Sequence, residues 1–187
     1  MTLKKMAEPA ELAVTLASAK DNLRIEQSDT TLDNLLAIYI AGIVAEAEHA
    51  TSSAIINRPM RVTLDGFSEA IRLAAPTFSV ESLTYFDPEG DVQTLDPQDY
   101  YVDKVTEPGY IVPAAGRSWP ATACGLNVVT VNFTAGRGID STSTPPCVRL
   151  YVLARLAQQW DPSDREFKDT EPSKFIERLL DPMAVYG

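Results

Sequence analysis

The chain has 187 residues, of which 45% are hydrophobic, and its formal net charge is −10 at pH 7. This length and apolar content predict a folded chain with a core and exclude a disordered tail protein. The longest apolar run, Leu35 to Ala45, is well short of the ~20 residues of a membrane-spanning helix, and the N-terminus lacks the apolar centre of a secretory signal. We therefore expect an intracellular protein. Its acidic charge disfavours tight nucleic-acid binding.

The first third of the chain carries helical signals. Thr15 or Ser18 is a suitable cap for a short helix that runs through Leu23. After the cap residues at 28–30, apolar residues recur every three or four positions. This period predicts a long amphipathic helix that reaches about Ile55.

From Met60 the apolar residues alternate with a period of two, which is typical of strands with one solvent-facing side. The alternation is clear at residues 60–65 and 129–135. Asp87-Pro88-Glu89-Gly90 has proline and glycine where a type I turn uses them, which predicts a hairpin. The middle of the chain is therefore expected to be β-rich.

Helical signals return near the C-terminus. Thr144 and Pro145 suit the cap and first turn of a helix that reaches Trp160, with Arg155 among the residues left for its polar side. A last short helix is predicted at residues 173–180. The order of elements favours an α+β fold.

We expect the N- and C-terminal helices of this α+β fold to form a helical bundle, with an inserted sheet or small sandwich in the middle. The predicted parts are an N-terminal helical part at residues 1–58, a β-rich insertion at 59–138 and a C-terminal helical part at 139–187. The two helical parts are expected to pack together as one domain.

The only histidine, His49, restricts the possible active sites. Glu46 and His49 make a Glu-x-x-His step, but a di-iron bundle needs a second copy of that step. A mononuclear metal site that also uses Glu48 is an alternative to a solvated helix face. A Ser-His-Asp hydrolase is disfavoured, because residues 116–120 fail the last position of a Gly-x-Ser-x-Gly elbow.

Other candidate sites are equally weak. No phosphate-binding glycine loop is present. Cys124 and Cys147 lack a metal-ligand spacing and are predicted to be free thiols. Trp119 and Trp160 are candidates for interface anchors or for ordinary core residues. We therefore expect no catalytic residue, bound metal or cofactor, although plentiful acidic residues leave a carboxylate-pair hydrolase open.

Several short motifs occur in a fixed order between Leu16 and Leu180. After the long N-terminal helix they are residues 64–67, 117–120 and 129–136 and the Pro145-Pro146 opening of the penultimate helix. Together they resemble the head-tail connector (adaptor) family of tailed bacteriophages. The resemblance implies a structural virion protein without catalytic residues, which forms a ring, commonly of twelve subunits, between the DNA-filled capsid and the tail.

The same resemblance implies the partners and the location. They are further copies of the chain, the portal protein above the ring, and a head-tail stopper or tail protein below it. DNA passes through the channel without specific binding, and no membrane is involved. The expected location is the head-tail interface of the virion, with host cytoplasm during assembly. The alternatives are a tail-completion or tail-terminator ring protein and a carboxylate-dependent hydrolase.

The C-terminal segment is the candidate contact region. It mixes charges with large apolar residues, which suits docking on a portal or a neighbouring subunit. The candidate contacts are Phe167, Phe175, Ile176, Leu179, Met183 and Tyr186. The alternative is that the apolar stripe of the last helix covers the subunit's own core.

Overall fold

The structure, a computed structural model, describes residues 1–168 and 170–184. These residues form two compact units. The sheet unit comprises Met1–Pro9 and Asn57–Gly136, and the helical unit comprises Ala10–Ile56 and the described residues from Arg137 onward.

The sheet unit contains eight strands. In chain order they are β1 (Thr2–Lys5), β2 (Arg58–Leu64), β3 (Ile71–Arg72), β4 (Thr77–Phe86), β5 (Val92–Thr94), β6 (Tyr100–Asp103), β7 (Tyr110–Pro113) and β8 (Val129–Ala135). Five of them form an antiparallel sheet in the order β1-β2-β8-β4-β5, and a second sheet has the order β3-β7-β6. A 3₁₀ turn, Pro97–Asp99, precedes β6.

The core of the sheet unit follows from the alternation in β2 and β8. In both strands every second residue is buried, as the sequence pattern predicts. Val62 lies opposite Val131, and Met60 lies opposite Phe133. These side chains share the buried face of the sheet, where β-branched and aromatic residues pack well.

A row of threonines crosses the five-stranded sheet. Each strand contributes one, and the register joins them in the order Thr2, Thr63, Thr130, Thr84 and Thr94. The central three are half-buried and the outer two are exposed. The face of the sheet opposite the apolar core is therefore polar.

The helical unit contains four helices and a two-stranded sheet. They are α1 (Leu16–Leu23), α2 (Asp33–Thr51), α3 (Pro146–Gln159), β9 (Trp160–Asp161), β10 (Glu166–Phe167) and α4 (Lys174–Arg178). A 3₁₀ turn, Asp181–Met183, follows α4. None of the helices among the described residues is long and apolar enough to cross a membrane.

Local sequence explains where these helices begin and end. The Thr15 hydroxyl accepts a hydrogen bond from the backbone N–H of Ser18 and caps α1. The long helix α2 ends at Thr51, before the predicted Ile55, because Ser52 adopts a left-handed conformation. The apolar faces of α1, α2 and α3 meet in one core whose fully buried members include Leu36, Ile40, Tyr151, Val152 and Leu156.

The prediction of a fold class built on a helical bundle is wrong. The chain is a mixed α+β protein whose largest regular assembly is the five-stranded antiparallel sheet. That sheet includes β1, from the part of the chain expected to be helical. The terminal parts also contain the β9–β10 pair, and the described residues between α3 and α4 form no helix.

Among the described residues the chain passes between the two units at residues 9–10, 56–57 and 136–137, and the last two crossings enclose most of the sheet unit. On the helical unit the crossings at 56–57 and 136–137 are neighbours, because the backbone N–H of Arg137 donates to the carbonyl of Ile55 at 3.0 Å. On the sheet unit Gly136 has φ +150°, and a Cβ there would lie 2.5 Å from the backbone nitrogen of Asn57. Only glycine fits this close approach without displacing the chain.

Candidate functional site

The C-terminal segment belongs to the helical unit and contributes to its core. Helix α4 is capped by Ser173, whose hydroxyl accepts from the backbone N–H of Ile176. Ile176 and Met183 are each 8% exposed and belong to the helical core. Leu179 is partly buried and packs against the same core. These three candidate contact residues therefore pack within their own unit.

Phe167 also packs within its own unit. Its ring stacks on Tyr39 of α2, with ring centroids 3.9 Å apart. The ring of Trp160 also contacts Phe167. The two ring centroids are 5.1 Å apart, and the rings are tilted to each other. The β9–β10 pair brings Trp160 and Phe167 together, because they are register partners. Trp160 is thus part of an aromatic cluster in the helical unit.

The remaining two candidates have different positions. Phe175 is 71% exposed, whereas its chain neighbour Ile176 is the buried residue of α4. Tyr186 lies outside the described residues. The structure thus brings Phe167, Ile176, Leu179 and Met183 to one core and leaves Phe175 in solvent.

Polar side chains of α3 hold the backbone that leads to α4. Arg155 Nη1 donates to the carbonyl of Thr170 at 2.8 Å, and Gln158 Nε2 donates to the carbonyl of Glu171 at 2.7 Å. The backbone N–H of Lys168 donates to the carbonyl of Gln159 at 2.8 Å. The described part of the segment before α4 is therefore attached to α3 by hydrogen bonds.

Arg155 also joins α3 to α2. Its Nη2 lies 3.4 Å from Glu46 Oε2, and the Tyr151 hydroxyl donates to Glu46 Oε1 at 2.9 Å. Burial and the neighbouring Glu46 carboxylate together raise the pKa of Tyr151 above its ordinary value, so this hydroxyl stays protonated and donates. Sequence reasoning assigned Arg155 to the polar side of its helix and missed this role.

The histidine and its acidic neighbours do not form a site. His49 is exposed, and Glu46 is engaged by Arg155 and Tyr151. Glu48 is buried and accepts a hydrogen bond from the backbone N–H of Ile55 at 2.9 Å. Within residues 1–168 and 170–184, no group of three His, Cys, Asp or Glu side chains is placed to hold a metal ion.

A shallow cleft of about 380 Å³ opens on the helical unit. Its acidic lining residues are Glu26 and Asp29, and its basic ones are Arg24 and Arg165. Hydrogen bonds from Thr31 and Arg165 hold the pKa of Asp29 well below its usual range. A glycosidase acid needs a raised pKa, so Asp29 has the wrong protonation state for that role.

An aromatic cluster lies on the sheet unit. Trp119 stacks on Phe67 with ring centroids 4.7 Å apart, and Phe67 meets Tyr85 edge-on at 5.6 Å. Trp119 Nε1 donates to the carbonyl of Ser68 at 2.7 Å. These contacts fix the irregular segment before β8 to the end of β2. Trp119 therefore has a packing role within its own unit.

Comparisons with known proteins give the following result. No protein-family model matches the chain, and no curated protein matches it in sequence. Solved structures do match it. A chain from the neck of an empty gene transfer agent (GTA) particle, computed with C6 symmetry, has a TM-score of 0.80 at 22% identity. The match covers 100% of this chain and 97% of that one.

Two further structures agree with the first. A chain from the virion of the native gene transfer agent particle has a TM-score of 0.76 at 21% identity. A chain from the neck of the native particle, computed with C12 symmetry, has a TM-score of 0.75 at 20% identity. Both matches cover 100% of this chain and 97% of the other.

This protein has the fold of those particle chains. The likeness to head-tail connector proteins that the sequence motifs predict is confirmed at the level of the fold. The likeness extends over both units, since the whole chain is covered. The β-rich middle is therefore shared with the neck chains and is not peculiar to this sequence.

Proposed function

We propose that this protein is a structural, non-enzymatic subunit of a ring-shaped head-tail connector in a phage-like virion. It docks under the portal and joins the DNA-filled capsid to the tail. The observation that carries this proposal is the likeness of fold to a chain from a particle neck, at a TM-score of 0.80 over 100% of this chain.

Symmetry supports the ring. The similar neck structures were computed with C6 symmetry in one case and C12 symmetry in another. Twelve subunits are compatible with both, because a twelvefold ring also has sixfold symmetry. We therefore propose a ring of twelve copies of this chain.

The charge of the chain suits a DNA channel. With a net charge of −10 the subunit repels phosphate on average, so DNA passes without sticking to the wall. The proposed partners are the portal, a stopper or tail protein, and neighbouring copies of the chain. The proposed location is the head-tail interface, with host cytoplasm during assembly.

Exposed apolar residues of the helical unit are the proposed portal or intersubunit contacts. Phe175 on α4 is 71% exposed and Ile38 on α2 is 68% exposed. Leu150 on α3 is 51% exposed. Such residues are desolvated at low cost when they meet a partner.

Binding to the portal tests the proposed function. Purified portal rings and purified tail tubes are each immobilised, and the full chain is passed over both. Retention on the portal is expected. Retention on the tail tube alone would instead favour the tail-terminator alternative. Retention on neither, together with absence of the chain from purified particles, would reject the proposal.

A further inference from the structure

The β1 side of the five-stranded sheet is basic. The charged residues of β1 and β2 are all cations: Lys4, Lys5, Arg58 and Arg61. Arg58 is buried and lies 3.9 Å from Glu8, which offsets its charge. Lys4 and Arg61 are register partners, and among the described residues no carboxylate lies within ion-pair distance of either. Lys4 and Arg61 therefore present uncompensated positive charge on this side of the sheet.

The opposite side of the same sheet is acidic. Glu81, which is exposed, is the sole charged residue of β8, β4 and β5. The hairpin that joins β4 to β5 adds Asp87, Glu89 and Asp91. Asp87 accepts backbone hydrogen bonds from Glu89 and Asp91 and so shapes the turn. Glu89 and Asp91 are exposed, and in the described part of the chain neither has a cation within ion-pair distance.

Both edges of the sheet also expose apolar residues. β1 has a strand neighbour on one side only, and Leu3 is 46% and Met6 is 41% exposed. β5 pairs with β4 only along residues 84–86, so the first half of β4 has no described strand on that side. Phe78, in this half, is 55% exposed. Open edges with exposed apolar residues are normally covered in the working state of a protein.

The signs of the charges on the two edges indicate which partner covers these edges. Two β1 edges brought together would place cations against cations, and two β4–β5 edges would place carboxylates against carboxylates. Contact between unlike edges pairs opposite charges and buries apolar residues from both. A second copy of this chain offers both complements at once, an acidic edge for β1 and a basic edge for the β4–β5 side.

We propose that the basic β1 edge of one copy contacts the acidic β4–β5 edge of a second copy of this chain, head to tail. β4 carries two register irregularities in its open half, so the contact is made by side chains and does not extend the sheet. A head-to-tail contact of this kind generates a ring when its rotation closes. The inference thus deepens the proposed function by naming the intersubunit surface, and it rests on that function for the ring.

Charge reversal on each edge tests the contact. The variants are Lys4→Glu, Asp91→Lys and the two together, and self-association of the full chain is measured by sedimentation equilibrium at low ionic strength. Each single reversal is expected to weaken association about 10-fold, since an exposed attraction becomes a repulsion. The double variant is expected to recover most of the loss, because the complementarity is restored with opposite signs.

A matched control separates this contact from a general effect of net charge. Lys104→Glu changes the charge of the chain as Lys4→Glu does, but Lys104 is an exposed residue between β6 and β7. It is expected to leave association unchanged. Circular dichroism of every variant shows whether the fold is kept. Added salt is expected to weaken association of the wild type, since the paired charges are exposed.

Carbodiimide cross-linking locates the contact directly. A mixture of chains with and without heavy-nitrogen label distinguishes links between copies from links within one. Mixed-label links between Lys4 and the segment that contains Glu89 and Asp91 are expected. A wild type that stays monomeric throughout, single reversals without effect, or a double variant without recovery would each overturn the contact.

Failure of this contact is distinguishable from failure of the proposed function. A chain that self-associates through these edges but binds no portal and is absent from particles rejects the connector function and keeps the contact. In the opposite outcome, charge reversal on either edge changes neither portal binding nor self-association. That outcome would reject the contact and keep the connector function.

Discussion

At the scale of single residues, Arg155 connects three parts of the helical unit. From α3 it reaches Glu46 on α2 and the carbonyl of Thr170 in the segment before α4. Its side chain is 5% exposed, whereas that of Glu46 is 39% exposed. Because the guanidinium is buried and always charged, its partners are needed to offset its desolvation.

Arg155→Met is expected to lower the free energy of unfolding by about 2–3 kcal/mol, since it removes the donor to the Thr170 carbonyl and leaves Glu46 with Tyr151 but without its cation. Urea denaturation followed by circular dichroism measures the change. Arg149→Met on the same helix is the control, because Arg149 is exposed. It should change stability by less than about 0.5 kcal/mol. Equal effects of the two substitutions would contradict the role given to Arg155.

Asp140 predicts a pH dependence. Hydrogen bonds from the backbone N–H of Ser143 and the hydroxyl of Thr142 lower its pKa from 3.8 to about 2. A lowered folded-state pKa stabilises the fold above pH 3.8, and this contribution is lost as the pH falls toward about 2. The melting temperature of Asp140→Ala should therefore lie below that of the wild type at neutral pH, and the difference should narrow as the pH falls toward about 2.

Asp140→Asn is the matched variant, because its amide oxygen still accepts hydrogen bonds but carries no charge. It should lose the pH dependence and keep part of the stability. A difference between wild type and Asp140→Ala that stays constant from neutral to acidic pH would refute this account.

Sequence alone could identify which residue types are charged, but not which charges are buried. Arg149 and Arg155 both follow the helical period expected for the polar side of α3, and only Arg149 is exposed. The difference arises from Glu46, which is 109 residues away in the chain. A local pattern contains no information about a partner at that distance.

At the scale of elements, the C-terminal segment completes the helical core. Ile176, Leu180 and Met183 are each at most 8% exposed. Removal of residues 171–187 should therefore lower the free energy of unfolding by roughly 4 kcal/mol or more, at ~1.5–3 kcal/mol for each buried apolar side chain. Thermal and urea denaturation measure the loss. A truncated chain with the stability of the full one would show that this segment is independent of the core.

Phe175→Asp tests the exposed aromatic residue of the same helix. Phe175 is 71% exposed, so the substitution should change stability by less than about 0.5 kcal/mol. Portal binding or ring formation should decrease at least ~10-fold, because a charge would replace an apolar contact. Ile176→Asp is the contrasting variant and should unfold the helical unit. Unchanged assembly with Phe175→Asp would remove Phe175 from the proposed contact.

Periodicity predicted the elements that have a buried face. α2, α3, β2 and β8 were all expected near their observed positions, because each buries one side. β1 was missed, since every residue of it is exposed and no alternation marks it. Its register partners on β2 are more than fifty residues away, so only the folded sheet reveals it.

At the scale of the whole molecule, the sheet unit interrupts the helical unit at neighbouring points. The carbonyl of Ile55 accepts a hydrogen bond from Arg137, and Ile56 bridges to Gly138. Replacing residues 57–136 by a short glycine-rich linker should therefore close the helical unit without strain. Among the described residues, every member of the helical core belongs to the helical unit, which supports independent folding.

The shortened chain, in which the linker replaces residues 57–136, should retain α-helical circular dichroism and a cooperative urea transition. Leu36→Asp in the same shortened chain is the control, because Leu36 is fully buried in the helical core. It should abolish the transition. A shortened chain without any helical circular dichroism would show that the helical unit needs the sheet unit to fold.

The fold class was mispredicted for a reason that acts at this scale. The local period of each stretch predicts helical ends and a β-rich middle. The first residues of the chain have no strong period, and they join the sheet by pairing with β2. Long-range pairing of a short, exposed strand is decided by topology and not by local preference.

The attachment of the segment before α4 has a consequence for sequence variation. Arg155 and Gln158 hold this segment through the main-chain carbonyls of Thr170 and Glu171. Every amino acid supplies the same carbonyl, so the side chains at these two positions are free to drift among homologues. Substitutions at Arg155 and Gln158 have no such freedom. In related sequences the path of the backbone should therefore persist where its own residues differ, and variation at the two donors should mark chains in which this segment is held differently.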